Sequence, residues 1–490
     1  MTLCCQIMDS KIDLKLPLLK LALWPVALLN CIVASEAPII PKELVYPQEE
    51  CKISPALEAQ NAQVAPLSPS PLALAKNNHP LVEIIENVYN NSPKLLSARL
   101  QLAIEKSRSQ QLRSQLFPSL DLVGNQDSAQ ERYERIEDSS HPTKFGAVLS
   151  QPLFNRPLQL AHRIAAYDET LAVIQSKIQN EEIVLELCRR YLDLYRFARL
   201  AEFSRNNTGL ANEHLRSTKI RQEKGELTIT DTHQALVRYK TAQAINEQSK
   251  TQLDIAKIRF SELSQAPAPE KPLLFMLALS EEEMLSFMQP ETLRMQPELS
   301  MISTRIHKEE LQNSMANSRY LPRLDLRLEQ FRTWNNNSSS IGSPYDETRL
   351  SVNFNWNLFS SGLTHAQQEE SQLVQQQLRL NYSQQELESQ RMVQEAIMNI
   401  QVSTKLGEAY KEAVDAAIKA LKGIQQEFLV GTRTALDAFD AQNELFVSQT
   451  RWLNAKVDRL SSSLLLLKTI GKMELEHFCI RLGIDKSLDG

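Results

Sequence analysis

The chain of 490 residues is short of glycine, with only 12, where average usage near 7% would give roughly 34. That scarcity argues against a glycine-dense α/β enzyme and leaves long stretches without helix breakers. Cysteine is nearly as scarce. Of six, Cys4, Cys5 and Cys31 fall in the first 35 residues, and Cys51, Cys188 and Cys479 are too few and too scattered for a disulfide framework or a metal site. The eight histidines include no pair at ligand spacing, so no metal and no other cofactor is expected. Charge of one sign is also missing: 54 Lys and Arg against 59 Asp and Glu give a net charge of −5 and no basic stripe, which argues against a nucleic-acid partner. Beyond the N-terminal stretch there is no apolar run of about 20 residues, and mean hydropathy is −0.33. This excludes conventional transmembrane helices but not a β-barrel, whose strands carry a much weaker signal. Gly-x-Ser-x-Gly, His-Glu-x-x-His, a phosphate loop and Cys-x-x-Cys are all absent, so the chain is not expected to be an enzyme.

What is present begins with Lys11, Lys15 and Lys20 ahead of an apolar stretch at 21–33 and the small residues Ala34 and Ser35. This pattern reads as an export signal over residues 1–35, cut after Ser35, with Met8 an alternative start. A second reading makes Cys31, after Leu28-Leu29-Asn30, a lipid-attachment site, for which Asn30 is a poor neighbour. Roughly half of the prolines precede residue 81, so residues 36–80 read as an extended lead-in.

From there the chain repeats itself. Asn91-Ser92-Pro93-Lys94-Leu95 matches Met295-Gln296-Pro297-Glu298-Leu299, and Phe117-Pro118-Ser119-Leu120-Asp121-Leu122 matches Leu321-Pro322-Arg323-Leu324-Asp325-Leu326. Gln151-Pro152-Leu153-Phe154-Asn155 matches Trp356-Asn357-Leu358-Phe359-Ser360, and Gly225, Asp231 and Ala235 match Gly431, Asp437 and Ala441. The shift of about 205 residues is far longer than solenoid periods, so a large unit is duplicated. Repeat 1 spans 81–266 and repeat 2 spans 295–470, with a collar segment at 267–294 and a tail at 471–490 that joins the collar.

Each repeat reads as helix, strand, polar loop, strand, long helix, glycine break, second helix. Leu324, Leu326 and Leu328 alternate with Asp325, Arg327 and Glu329, and Leu350, Val352, Phe354, Trp356 and Leu358 alternate with Ser351, Asn353, Asn355 and Asn357, giving strands with one apolar face. The link at 332–348 is a solvated loop. Proline-free stretches follow each hairpin; a helix over 158–224 would be about 100 Å long and must pair with others along its length. Ser403, Leu406, Tyr410, Ala413, Ala417, Ala420 and Ile424 step by three and four. Leu436, Phe439, Phe446, Leu453, Val457, Leu460, Leu464 and Leu467 form a heptad seam interrupted by Asn443 and Thr450. The apolar strand faces can pack on each other as an ordinary sandwich, or several chains can close a barrel in lipid. Four strands alone cannot enclose a lumen, whereas three copies supply twelve.

The run from Phe428-Leu429-Val430-Gly431-Thr432-Arg433-Thr434-Ala435-Leu436-Asp437 through Ala438-Phe439-Asp440-Ala441-Gln442-Asn443-Glu444-Leu445-Phe446 resembles the signature of the TolC-like outer-membrane efflux proteins. Gly225-Glu226-Leu227-Thr228-Ile229-Thr230-Asp231 is its weaker first copy. The resemblance covers about residues 81–470. It implies a mostly α fold with β, a long coiled-coil helical barrel below a transmembrane β-barrel assembled from a homotrimer. Such a channel sits in the outer membrane, extends into the periplasm, and exports small molecules or proteins with a periplasmic adaptor and an inner-membrane transporter. It further implies that Asp437 and Asp440 form acidic rings at a constriction, and that Arg433 pairs with Asp231 near Thr230 as a gating latch. Phe428 stands where the family often has tyrosine, so that hydroxyl's hydrogen bond is missing.

Independently of the resemblance, Gly225 and Gly431 mark breaks where two helices meet at one end of a tube. Plainer readings of the same residues are open. Asp437 and Asp440 in a helix's first turn complement its dipole, Arg433 is a surface arginine, Ser280 with Glu281-Glu282-Glu283 is a helix cap, and His233 is an exposed helix residue. The rival function is a periplasmic coiled-coil adaptor or structural protein without a pore, which would need no alternating strands between its long helices.

Overall fold

The computed structural model describes residues 80–490 apart from 134–135, 141–142, 278, 295, 335–343, 474–481 and 485–490. The expected signal, Cys31, Cys51, Cys479, all of the proline-rich lead-in but Pro80, and the centre of the 332–348 loop lie outside the described residues. The described residues open with α1 (Pro80–Asn91) and α2 (Pro93–Ser114); Pro93 stands in the first turn of α2, where its missing N–H costs nothing. Strands β1 (Ser119–Gln126), β2 (Ala129–Tyr133), β3 (Ile136–Ser140) and β4 (Thr143–Phe154) follow. Next come two long helices, α3 (Arg156–Glu223) and α4 (Ile229–Ser264), and then the collar segment with β5 (Phe275–Leu277), α5 (Glu281–Ser286) and α6 (Pro290–Arg294). The second half repeats the plan: α7 (Pro297–Asn317), β6 (Arg323–Trp334), β7 (Tyr345–Asn355), α8 (Leu363–Val430) and α9 (Ala435–Thr469), with β8 (Leu482–Ile484) in the tail. The duplication is literal in length, since α3 and α8 each have 68 residues and α4 and α9 have 36 and 35.

The long helices start where their caps allow. Asn155 accepts a hydrogen bond from the Leu158 N–H at 3.2 Å, which fixes the start of α3 two residues ahead of the expected Leu158. Ser280 and Glu283 form a reciprocal capping box at α5, as the Ser-Glu-Glu-Glu sequence predicts.

The hairpins do not face each other as a sandwich. Strands β1, β4, β6 and β7 form one antiparallel sheet in that order, and β4 of the first repeat pairs directly with β6 of the second. The register lines up Leu120, Leu149, Leu328 and Leu350 across all four strands, with Leu326 and Val352 in the next row. One position along, the row is Ser119, Ser150, Arg327 and Ser351. One face therefore carries a leucine band and the other is mostly polar, with Arg327 paired to Glu329 and Arg349 to Glu347 and with Val148 and Phe331 set among them. The band is bare in the single chain: Leu120 is 69% exposed, Leu350 63% and Phe354 61%. Among the described residues, both edge strands, β1 and β7, lack an outer neighbour in the sheet. Strand β7 stops at Asn355, short of the alternation expected through Leu358; the Trp356 indole instead donates to the Tyr320 carbonyl at 2.9 Å.

The helices form two coiled hairpins, α3 with α4 and α8 with α9; α7 packs against both α3 and α8, and α9 against α3. Their shared core gathers Leu187, Tyr191, Tyr195, Phe260, Val457, Leu464 and Leu467 with Phe275 of the collar. Tyr191 clamps the collar, donating to the Leu273 carbonyl at 2.8 Å and accepting from its N–H at 3.1 Å, and burial pushes its pKa up to about 12. Strand β8 closes on β5, pairing Phe275 with Ile484 and Leu277 with Leu482. The seam on α9 holds from Phe439 through Leu467, while Leu436 at its start is exposed. On α8 the expected stripe is partly displaced: Ala417 is buried, but Leu406 and Ala420 face outward and Val414, Leu421 and Phe428 are buried instead. Spacings of three and four allow both faces, and packing against α9 and α3 selects one.

A candidate gate at the tips of the helical hairpins

Both hairpin tips are built by one device. At the end of α3, Gly225 takes φ +76°, its N–H bonds the Gln222 carbonyl, and the Glu226 N–H bonds the Arg221 carbonyl, both at 2.9 Å. At the end of α8, Gly431 takes φ +86°, with Gly431 N–H to Phe428 carbonyl at 3.1 Å and Thr432 N–H to Glu427 carbonyl at 3.0 Å. These are Schellman ends, and their left-handed residue favours glycine. Three residues later each chain turn re-enters a helix through a capping box. Thr228 accepts from the Asp231 N–H at 3.2 Å while its own N–H donates to the Asp231 carboxylate at 2.8 Å; Thr434 and Asp437 do the same at 3.2 and 3.0 Å. Glycine, threonine and aspartate at intervals of three thus describe a turn of minimum length between two capped helices.

This geometry assigns Asp231 and Asp437 first to capping. Hydrogen bonds from the threonine N–H and hydroxyl hold both carboxyls below the usual carboxylate range. Arg433 donates to Glu427 at 2.9 Å within its own turn, and Thr230 is exposed one residue before Asp231. Within one chain the expected Arg433–Asp231 pair does not form, because each partner is satisfied at its own tip. Asp440 does reach across, to Arg238 of α4 at 2.9 Å. Phe428 is buried at the junction of the two hairpins.

Of the side chains that join the hairpins, Phe428, Phe439 and Asp440 were singled out by the sequence, whereas Arg221, His214 and Arg238 were not. Arg221, in the last turn of α3, donates through Nη1 to the Phe428 carbonyl at 3.0 Å and through Nε to Glu226 at 2.9 Å, and its guanidinium carbon lies 5.0 Å from the centre of the Phe428 ring. His214 lies between Phe428 and Phe439, with ring centres 6.1 and 5.2 Å away. Arg238 lies 5.9 Å from the centre of the Phe439 ring. Ala211, Leu215, Ala235 and Ala242 complete a small apolar core with Phe439. Further up, Gln442 of α9 donates to both the carbonyl and the side-chain oxygen of Asn207 at 2.6 Å. One signal was available: the 206-residue shift that superposes Gly225 on Gly431 places Arg221 on Glu427, a reversal of charge at equivalent positions.

Two stretches of the chain, residues 84–264 and 290–472, match the family model described as outer membrane efflux protein. The chain belongs to the outer membrane efflux protein family. As a member it is an outer-membrane protein that extends into the periplasm, and its sheet and coiled hairpins are the barrel and tunnel parts of that fold. It is similar to outer membrane protein TolC of Vibrio cholerae, 25% identical over 409 residues that cover 80% of this chain and 91% of the relative. Outer membrane efflux protein BepC of Brucella suis is 22% identical over 342 residues, covering 69% and 74%. The same fold occurs in VceC of Vibrio cholerae, with a TM-score of 0.70 at 16% identity over 80% of this chain and 96% of that one. It occurs again in the CmeC outer membrane channel of Campylobacter jejuni, with a TM-score of 0.71 at 12% identity over 80% and 85%. No helix among the described residues is long and apolar enough to cross a membrane.

Proposed function

We propose that three copies of the chain form an outer-membrane channel that opens at its periplasmic tip to export small molecules or proteins. The observation that carries this reading is the sheet: a leucine band on one face, a polar face with internal ion pairs on the other, and two open edges. An unpaired strand edge is not tolerated in lipid. Strands β1 and β7 run in opposite directions, so β1 of the next copy laid beside β7 continues the antiparallel alternation, and three copies close twelve strands. The leucine faces then meet lipid and the polar faces line water. A non-pore adaptor has no use for such a sheet.

The two coiled hairpins of each copy continue the wall as a tunnel, and their tips form the gate. Asp437 and Asp440 of three copies ring the entrance with negative charge, which attracts cations and repels anions. Within each copy the closed state is held by Arg221 on Phe428 and by Arg238 on Asp440; an Arg433–Asp231 contact would belong to neighbouring copies. A periplasmic adaptor engages the tips, and an inner-membrane transporter supplies the energy. Relatives carry names of both efflux and protein secretion, the latter in the alkaline protease secretion protein AprF of Pseudomonas aeruginosa, and the polar wall suits either cargo. Single-particle imaging of detergent-extracted protein from the outer-membrane fraction tests the assembly. Threefold hollow cylinders with a shaft about 100 Å long are expected, and soluble rods or monomers without a lumen would overturn it.

A further inference from the structure

The tip holds one titratable group for which the channel reading has no use. His214 of α3 is buried, and its ring touches both helices of the other hairpin through Phe428 of α8 and Phe439 of α9. Its Nε2 is buried with no hydrogen-bond partner. Burial pushes its pKa below the ordinary 6.5, with Glu213 on the same helix acting the other way. The charged groups around it come from all four helices. From α3, Arg221 lies against the Phe428 ring, and from α4, Arg238 lies against the Phe439 ring. The carboxylates are already engaged: Glu226 with Arg221, Asp440 of α9 with Arg238, and Glu427 of α8 with Arg433.

We propose that His214 is a proton-sensitive wedge: neutral, it cements the two hairpins at the tip, and protonated, it separates them and favours the open tube. The inference rests on the reading of the tip as a gate. An imidazolium at this position would place an N–H against no acceptor and a charge in an apolar junction, both unfavourable. Phenyl faces can hold a cation, but each of these two rings already carries a guanidinium. The direction follows from linkage. A depressed pKa in the closed tip means that the closed state binds fewer protons than an open one in which the ring is hydrated. The closed state is therefore fully favoured above about pH 6.5 and weakens as pH falls through that value. The shift is at most tenfold in the closed-to-open ratio per pH unit, and it ends once the closed-state pKa is passed.

The test uses the full chain reconstituted in planar bilayers, with conductance recorded from pH 8 to pH 5. The native protein should conduct weakly at pH 8 and several-fold more at pH 5. His214→Phe, which keeps a ring without a titratable atom, and His214→Gln, which keeps polarity without charge, should both lose the acid step, each conducting equally at pH 8 and pH 5. Arg221→Ala should conduct strongly at both pH values. An acid step unchanged in both His214 variants, or none in the native protein, overturns the wedge and leaves the gate standing. Native-like conductance of Arg221→Ala and Arg238→Ala at every pH overturns the gate reading, and the wedge falls with it.

Discussion

One guanidinium, that of Arg221, joins a helix end, a turn carboxylate, a backbone carbonyl of the other hairpin and an aromatic face. Charge-assisted hydrogen bonds to a carbonyl are among the stronger single contacts available at a surface, and a lysine offers neither the fork nor the flat stacking face. Arg221→Ala is therefore expected to raise single-channel conductance at neutral pH, and Arg221→Lys to fall short of restoring the native value. The Arg238–Asp440 pair is a weaker tie, since both side chains are partly hydrated. A double-mutant cycle on it should return a coupling of about 0.2–1 kcal/mol. Asp231 and Asp437 behave differently again. Their carboxyls are held below the usual range, so their contribution is present above the ordinary carboxylate pKa near 4 and is lost only as pH falls through the depressed values. Asp437→Asn should leave the conductance profile between pH 5 and 7 unchanged in shape; a profile flattened by this variant would move the acid response from His214 to the cap.

At the scale of elements, the caps and turns were legible because they are local. Gly225 with Thr228 and Asp231, and Gly431 with Thr434 and Asp437, carry their own instructions within seven residues, and scarce glycine elsewhere lets α3 and α8 run to 68 residues. Thr434→Ala removes one such cap, at a cost of about 1 kcal/mol, which should appear as faster amide exchange confined to the first turns of α9. The strand faces were legible from alternation in β6 and β7, but the union of the hairpins was not. The β4–β6 register depends on partners more than 150 residues apart, which no local pattern specifies. Gly146 reflects it, since an added Cβ would lie 2.1 Å from the Gln330 carbonyl oxygen and 2.5 Å from the Phe331 ring. Gly146→Val is expected to break this pairing at a cost of at least 1–3 kcal/mol and to lower the yield of assembled protein in the outer-membrane fraction. The latch pair is absent within one chain for a related reason. Arg433 and Asp231 have the right charges, but each finds a partner within its own turn before a distant one can compete.

For the whole molecule, the decisive property is the sidedness of the sheet. Leu350→Lys on the leucine face should cost about 2–4 kcal/mol if it lies near the bilayer midplane, whereas Ser351→Lys on the opposite face should be tolerated. Heat-resistant oligomer on gels and unfolding midpoints in detergent would both report the difference, and equal effects would reverse or abolish the assignment of faces. The collar has a separate role. Pairing of β5 with β8 ties the tail to the segment between the repeats, and Tyr191 pins that segment to the long helices.

The duplication has a consequence for symmetry. A tube made from six identical half-chains could present only one kind of tip, six times, and every improvement at one helix end would be copied to all the others. Fusing two halves into one chain relaxes this to two kinds of tip in alternation. That freedom is visible in Arg221 and Glu427, which occupy equivalent places with opposite charge, and in Phe428, whose equivalent is Gln222. An arginine resting on its neighbour's aromatic ring is a contact between unlike partners. Identical halves would carry both an arginine and a phenylalanine at every tip, whereas Arg221 and Phe428 each stand at one tip only, so the contact proposed to hold the gate shut has no copy at the equivalent places of the other repeat.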